Sequence, residues 1–361
     1  MNPKYTLAHL AIIGLLSSCF PFSNDDFQLS SGERSAYIYV LPDEPENVHL
    51  AVKDLISDVE KITGRTLQIT KDPDNCQDGC VVIGSMNREK ASQTLIGFSE
   101  QLIELRGKWE AYRVENRGND LIIAGSDERG TMFGIYHFIE KYLEVDPLYF
   151  WKDREPLKRN TLVWDKVYIN QDEPDFKYRG LFINDEDLLT EWMDGGGNRD
   201  IDYPYYSQVV HPEVMENLTE AMVRLRYNLI IPASFIDIKN PAEKKLVDIA
   251  AKRSVFLSMH HIEPLGVSGF TYFNYWEERG KEYKFSYFSH PEELKQVWKE
   301  YAEDWAQYDN VVWQIGLRGV ADRPMWMADE NIPQSDADRG KLISDAMADQ
   351  MKIIESVDKR E

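Results

Sequence analysis

An alternation of short apolar strands with amphipathic helices, beginning near residue 176, constrains the fold of this 361-residue chain more than any other feature. Strands are expected at 176–184, 228–234, 255–261 and 311–319, and helices at 211–227, 241–254, 290–308 and 336–357. Each helix carries the chain back to the start of the next strand, so the strands lie parallel. We therefore predict four βα units in residues 176–361.

Polar residues follow each of these strands. NDED, HHIEP and RGVAD follow the first, third and fourth strands, and a polar stretch follows PAS at the end of the second. A (β/α)8 barrel of the TIM type places its active site at that end of its strands and takes roughly 250 residues. Because residues 176–361 hold four units, we predict the N-terminal half of such a barrel. An open, flavodoxin-like sheet is the structural alternative.

Residues 35–165 are expected to form an α+β accessory domain. Strands are predicted at 35–41, 66–70, 80–84, 110–116 and 120–126, with a spacing that suggests hairpin-like pairing. One helix is expected to be capped by Asn47 and closed by Gly64, and a second helix follows residue 126. No glycine-rich dinucleotide-binding fingerprint follows any strand, so we expect a sandwich rather than a Rossmann unit.

The N-terminus has the pattern of an export signal. A short segment with Lys4 precedes an apolar stretch at 7–16, which is too short to span a bilayer. The sequence LSSC, ending at Cys19, resembles a bacterial lipobox, whose cysteine is lipidated; a plain secretory signal is the alternative. We expect residues 1–19 to be a lipoprotein-type signal peptide and 20–34 a tether. The protein would then be a lipoprotein in the periplasm or outer membrane of a Gram-negative bacterium, touching a membrane only through its lipid.

The two remaining cysteines bear on disulfide formation, and the net charge bears on binding to nucleic acid. Cys76 and Cys80 share one loop, and export would allow them to form a small disulfide. The chain carries 62 acidic and 41 basic residues, a net charge of −21. Binding to nucleic acid depends on clustered Lys and Arg, so nucleic acid is not an expected partner.

The strand ends bring together a set of side chains suited to sugar chemistry: Asn184, Asp185, Glu186, His260, His261, Glu263, Arg318 and Asp322. Glycoside hydrolysis needs one carboxyl group to protonate the leaving oxygen and another to attack or to activate water. An arginine can bind a carboxylate through two hydrogen bonds, and imidazoles can donate others. The set therefore favours hydrolysis of a glycoside of a sugar acid.

Other chemistries fit this set less well. Neighbouring residues on a strand point to opposite faces, so His260 and His261 are not expected to share a metal ion, and one of them should be interior packing. No G-x-S-x-G nucleophile elbow is present. We expect no metal and no other cofactor.

Five sequence blocks resemble glycoside hydrolase family 115 and occur in the order of that family: GSDERGTMFGIYHFIEKYL, RGLFINDE, NLIIPAS, HHIEP and YDNVVWQIGLRGVAD. The family contains inverting α-glucuronidases that remove glucuronic acid or its 4-O-methyl ether from xylan. The resemblance implies that Asp322 activates the hydrolytic water. It also implies that Arg318 binds the uronate beside His260 or His261, and that Asp185 or Glu186 contacts the sugar or the water.

The resemblance has departures. Val320 stands where the family usually has an acidic residue, and Ile262 is inserted into the block that more often reads HHEP, so either histidine could face the sugar. The family's general acid is a glutamate on a later strand, beyond residue 361. We therefore expect an N-terminal portion that is inactive alone, from a full-length protein that forms a homodimer. The alternatives are a non-catalytic carbohydrate-binding lipoprotein on a hydrolase scaffold, or a glycosidase of another family with the same accessory domain.

Overall fold

A computed structural model describes residues 26–76, 79–184, 186–201, 206–330 and 333–360. The predicted signal peptide with Cys19, residues 20–25 of the predicted tether, and Asp185 lie outside these ranges. Within them, no helix is both long and apolar enough to cross a membrane.

The N-terminal part is built on a six-stranded sheet with the order β4-β3-β5-β7-β6-β9. Its strands are β3 (Tyr37–Val40), β4 (Gln68–Thr70), β5 (Cys80–Ser85), β6 (Tyr112–Arg117), β7 (Asp120–Gly125) and β9 (Tyr168–Gln171). The pairs β3–β4, β3–β5 and β5–β7 are parallel, and β6 is antiparallel to both neighbours. The expected hairpin-like pairing is wrong except at β6–β7, because helices return the chain between the parallel strands.

Helices cover both faces of this sheet. They are α1 (Glu46–Thr63), α2 (Glu89–Phe98) and α3 (Glu128–Phe138). On β5, Val81 and Ile83 belong to the same apolar cluster as α1 and α3, whereas Val82 packs in the cluster of α2. Gly64 closes α1 as predicted, with φ 74. Asn47 is not its cap, because its side chain donates to the carbonyl of Glu128 instead.

A second, three-stranded sheet corrects both boundaries of the predicted accessory domain. Its strands β1 (Phe27–Ser31), β2 (Arg34–Ser35) and β8 (Leu162–Trp164) pair antiparallel in the order β2-β1-β8. Residues 27–31 were expected within the tether, but the fully buried side chains of Phe27 and Leu29 make them part of the core. At the other end, β9 extends the domain past residue 165.

The C-terminal part contains the four predicted parallel strands. They are β10 (Gly180–Phe182), β11 (Leu229–Ile231), β12 (Phe256–Ser258) and β13 (Val311–Val312), and they pair in that order. A flavodoxin-like sheet would have its second strand outside its first. The consecutive order therefore argues against the flavodoxin-like alternative.

Helices follow each of these strands: α4 (Asp187–Trp192), α5 (Pro212–Arg224), α6 (Pro241–Lys252), α7 (Gly269–Glu277), α8 (Pro291–Trp305) and α9 (Asp336–Val357). Proline begins α5, α6 and α8, at the position where its missing N–H costs nothing. The aromatic segment of α7 was not among the helices predicted from the sequence. It forms a helix because the Ser268 side chain accepts from the N–H of Thr271 and caps it.

The accessory domain packs against the N-terminal ends of the strands. Arg179 and Asn228 stand immediately before β10 and β11, and both donate to the buried carboxylate of Glu110, Arg179 at 2.6 Å and Asn228 at 2.9 Å. Arg129 donates to the same carboxylate at 2.8 Å. The C-terminal ends of the strands therefore lie away from this contact. Cys76 and Cys80 are joined as a disulfide, as predicted.

Candidate active site

His261, Arg318 and Asp322 come together beyond the C-terminal ends of β12 and β13. Oδ1 of Asp322 accepts from Nε of Arg318 at 2.6 Å and from Nε2 of His261 at 2.8 Å. The side chains of Asp322 and His261 are each 54% exposed, so a ligand can reach both. This is the grouping expected for uronate binding beside a carboxylate.

The two donors keep Asp322 ionised. The hydrogen bond from Arg318, followed by that from His261, lowers the pKa of the Asp322 carboxyl to about 2. The backbone of Asp322 is left-handed, with φ 65, a conformation that aspartate tolerates better than most residues. Strained backbone of this kind is often found at functional sites.

The two adjacent histidines have different surroundings. Strand β12 ends at Ser258, so the opposite-face rule does not apply to His260 and His261. Their ring centroids lie 4.1 Å apart, with the planes nearly perpendicular. His260 is buried and donates through Nδ1 to the carbonyl of Ser234 at 3.0 Å, and burial lowers its pKa. His261 is therefore the histidine on the exposed side, and His260 packs behind it.

Glu263 occupies the interior rather than the rim. It is 1% exposed, and its carboxylate accepts from the N–H of Ile236 at 2.8 Å and from that of His260 at 3.4 Å. Burial raises its pKa well above the usual range. This placement corrects the expectation that Glu263 contacts substrate, because its oxygens tie two loops together.

Glu186 is also buried. Its carboxyl accepts from the N–H of Ser234 at 3.0 Å and contacts the Ser234 hydroxyl at 2.8 Å, and Arg199 lies 3.2 Å away. Burial raises the pKa of Glu186 as well. Because Glu186 is buried, the prediction that it contacts the sugar or the water is corrected. Asn184 is exposed at the end of β10, and its carbonyl accepts from the Ser234 hydroxyl.

The sequence profile of glycosyl hydrolase family 115 matches residues 171–361, which is more than half of the chain. This chain belongs to glycosyl hydrolase family 115. The match covers all four parallel strands, so the residues at their C-terminal ends, referred to below as the family 115 site, lie within the matched part of the chain. The alternative of a glycosidase from another family with the same accessory domain is thereby rejected.

Solved structures agree with the family 115 assignment at the level of the fold. BtGH115A, a family 115 4-O-methyl-α-glucuronidase with specificity for decorated arabinogalactans, is 24% identical with a TM-score of 0.74. The match covers 93% of this chain and 41% of BtGH115A, so the chain spans about two fifths of that enzyme. No curated protein sequence matches the chain significantly.

Two further structures are more distant. A family 138 enzyme that targets pectin rhamnogalacturonan II is 15% identical with a TM-score of 0.44, and the match covers 90% of this chain and 43% of that enzyme. A family 20 exo-β-N-acetylglucosaminidase from Vibrio harveyi is 11% identical with a TM-score of 0.38, over 66% of this chain and 34% of its own. At these TM-scores neither likeness bears on the family 115 site.

Several residues that support the family 115 site were not identified from the sequence. Ser234 links the loops after β10 and β12. Arg199 pairs with Glu186 and with Glu243, at 3.2 Å from each. Gln350 in α9 holds both backbone groups of Gly316, four residues beyond the end of β13. The only signal for Ser234 was its place at a strand end; none marked Arg199 or Gln350.

The described residues contain no group of three or more His, Cys, Asp or Glu side chains arranged to hold a metal ion. His260 and Glu263, which a metal site would have needed, are instead committed to backbone groups. Among the described residues, the functional groups exposed at the family 115 site include the imidazole of His261, the guanidinium of Arg318, the carboxylate of Asp322 and the side chain of Asn184.

Proposed function

We propose that the complete protein is an inverting α-glucuronidase that removes glucuronic acid or its 4-O-methyl ether from a xylan-type polysaccharide. The observation that carries this proposal is the exposed trio at the strand ends, in which Arg318 and His261 share one oxygen of Asp322. Membership of family 115 supports a glycoside hydrolase acting on polysaccharide. The trio further supports a substrate whose sugar carries a carboxylate.

The cation in the trio suits a uronate. Arg318 contacts Asp322 through Nε, and its two terminal nitrogens have no acceptor among the described residues. Those nitrogens can bind a sugar carboxylate through two hydrogen bonds while Nε still holds Asp322. In a protein with a net charge of −21, such a local cation is needed to retain an anionic substrate.

Asp322 is the proposed base. Its Oδ1 is held by two donors, and no described residue donates to Oδ2, which leaves that oxygen for a water molecule. A carboxylate with a pKa of about 2 is a weak base, but a bound uronate places a second negative charge nearby. Like charge raises the pKa of a carboxyl group. We infer that substrate binding itself makes Asp322 a stronger base.

Inversion requires a second carboxyl group, some 6.5–9.5 Å from the first, to protonate the leaving oxygen. Of the carboxyl groups that the sequence singled out, Glu186 and Glu263 are buried. Neither can reach a glycosidic oxygen. The acid is therefore proposed to be a glutamate from a part of the complete protein beyond residue 361, and residues 1–361 alone are expected to be inactive.

The four parallel strands are proposed to be the first half of a (β/α)8 barrel. Their consecutive order is the one such a barrel requires. The edge strand β10 leaves Leu181 40% exposed and Phe182 36% exposed, and nearby Phe176 is 76% exposed. Apolar residues on an open sheet edge invite aggregation, so further strands are expected to cover them.

Location and assembly complete the proposal. We propose that the protein is exported and anchored by lipid on Cys19, in the periplasm or outer membrane of a Gram-negative bacterium, and that the complete protein is a homodimer. The lipobox-like sequence before Cys19 supports the anchor. Metabolic labelling with a fatty acid tests it: wild type should incorporate label, and Cys19→Ala should not.

The decisive experiment is carried out on the complete protein. Asp322→Ala should abolish the release of glucuronate from glucuronoxylan, because it removes the proposed base that activates the water. Asp336→Ala, which removes a carboxylate that is 99% exposed at the start of α9, should leave the rate unchanged. NMR of the first product should show the β-anomer. Retained release by Asp322→Ala would contradict the proposal, and binding without any release by wild type would favour a non-catalytic role.

A further inference from the structure

Glu186 lies beneath the active site, where no sugar can reach it, so its role depends on what it holds. Its Oε1 accepts from the N–H of Ser234, and its Oε2 lies 2.8 Å from the Ser234 hydroxyl. That hydroxyl also donates to the carbonyl of Asn184. A hydroxyl has one proton, so the Ser234 hydroxyl can donate to only one of these two acceptors at a time. Burial raises the pKa of Glu186, although Arg199 lies 3.2 Å from its carboxyl group.

The backbone of Ser234 in turn determines the tautomer of His260. Nδ1 of His260 lies 3.0 Å from the Ser234 carbonyl. Because a carbonyl oxygen can only accept, Nδ1 must carry the proton. Burial lowers the pKa of His260, so its ring is neutral near pH 7. In this neutral ring Nε2 carries no proton and is a hydrogen-bond acceptor.

The orientation of His260 affects the residues that face substrate. Its ring packs edge-on against that of His261, with centroids 4.1 Å apart. Nε2 of His261 then donates to Oδ1 of Asp322 at 2.8 Å. A continuous set of contacts therefore leads from Glu186 through Ser234 and the two histidines to the proposed base.

We propose that Glu186 is a positioning residue which, through Ser234, holds His260 in its Nδ1-protonated tautomer and thereby orients His261 toward Asp322. The inference rests on the proposed function for its catalytic meaning. The tautomer of His260 can nevertheless be measured without any activity, so the two ideas fail separately.

The chain contains a matched control for this arrangement. Glu44 is likewise buried, and its carboxyl accepts from the N–H of Ser85 at 2.7 Å and from the Ser85 hydroxyl at 2.6 Å. This second glutamate–serine pair lies in the accessory domain, and its serine hydroxyl contacts Thr131 rather than a histidine. Glu186 also pairs with Arg199, so loss of Glu44 reproduces the loss of the buried glutamate–serine contact alone, away from the active site.

The test uses NMR of the complete protein with ¹⁵N-labelled histidine. In wild type, His260 should show a protonated Nδ1 and an unprotonated Nε2. Glu186→Ala should lose this single tautomer and shift the His261 signals, whereas Glu44→Ala should leave both histidines unchanged. Glu186→Gln should restore the wild-type spectrum, because an amide can accept from the Ser234 N–H and donate to its hydroxyl.

Several outcomes would overturn the inference. An unchanged His260 tautomer in folded Glu186→Ala would show that Ser234 is held without Glu186. An equal effect of Glu44→Ala would show a general loss of stability. If Glu186→Ala does not fold, Glu186→Asp decides instead, since its shorter side chain keeps a carboxyl group but cannot reach Ser234; an unchanged tautomer there also refutes the role. A complete protein that is inactive with an intact tautomer would refute the proposed function alone.

Discussion

Carboxyl groups around the strand ends differ in protonation according to what surrounds each one. Asp322 is exposed and held by two donors, so its pKa falls to about 2. Glu186, Glu243 and Glu263 are buried, and loss of hydration raises the pKa of each. Carboxyl side chains thus provide an anion at the exposed rim and, below it, buried hydrogen-bonded groups with raised pKa values.

Replacing Arg318 should raise the pKa of Asp322, because its ionised form loses a hydrogen-bond donor. In Arg318→Ala the first of the two donors is lost, so the pKa of Asp322 should rise from about 2 toward its usual value while His261 still donates. Carboxyl ¹³C NMR over a pH titration measures this. Arg339→Ala, which removes an exposed pair with Asp336 on α9, is the control and should leave Asp322 unchanged. An unshifted titration in Arg318→Ala would contradict the assignment of the donor.

Glu243 should make the protein less stable as pH rises. Burial raises its pKa from 4.5 to about 7, outweighing Arg199. The folded state therefore binds more protons than the unfolded state between those values, and the free energy of unfolding falls across that window, by at most about 3 kcal/mol. Glu243→Gln should flatten the decrease between pH 4.5 and 7, measured by urea unfolding. The control Glu292→Gln changes a side chain that is 80% exposed and should leave the decrease unchanged. A decrease in Glu243→Gln as steep as in wild type would contradict the raised pKa of Glu243.

At the scale of secondary-structure elements, the short lengths of β12 and β13 determine where the site residues lie. Because β12 ends at Ser258, the histidines lie in a turn where their rings pack edge-on and that of His261 contacts Asp322. Strand β13 is shorter still, and the chain beyond it is held by Gln350 of α9, which donates to the carbonyl and accepts from the N–H of Gly316. Helix α9 therefore helps to place the segment that carries Arg318 and Asp322.

Gly316 should be intolerant of substitution. Its φ of 144 is a backbone conformation that residues with a Cβ rarely adopt. Gly316→Ala should lower the free energy of unfolding by about 1–3 kcal/mol. Gly340→Ala, inside α9 with open space around the added Cβ, should instead raise it by about 0.5–1 kcal/mol. Chemical denaturation of both variants gives the comparison; equal effects would contradict the role of the Gly316 backbone.

At the scale of the whole molecule, buried ion pairs join the accessory domain to the strands. Glu110 binds Arg129 of its own domain and Arg179 before β10. A second group links Asp58 of α1 to Arg224 of α5 at 2.8 Å. Removing one partner of a buried pair leaves the other charge uncompensated, so these contacts resist separation of the two parts.

Loss of Glu110 should therefore destabilise the protein as a unit. Glu110→Ala should lower the free energy of unfolding by about 3–5 kcal/mol, because two guanidinium groups lose their carboxylate. Glu46→Ala also removes a pair between the two parts, with Lys252 at 3.9 Å, but on the surface, and should cost less than about 1 kcal/mol. Calorimetry should show one transition in wild type. Two separate transitions, or equal losses in the variants, would contradict this coupling.

Local pattern was sufficient for the elements and for part of the site. Apolar periodicity predicted α5, α6, α8 and α9 and the four strands of the C-terminal part. The polar residues at the ends of these strands were then found by their position after each strand. That position also identified Arg318 and Asp322, since residues at strand ends meet whatever the details of packing. Family membership followed from the same blocks of sequence.

Only the tertiary structure decided which of the candidate groups are exposed. Burial depends on what packs above a residue, and no local pattern distinguishes the exposed Asp322 from the buried Glu186 and Glu263. The length of β12, and hence the separate roles of His260 and His261, depends on where pairing with β11 and β13 stops. The chemistry of the strand ends was determined by sequence, whereas its division into an exposed site and a buried support was determined by long-range packing.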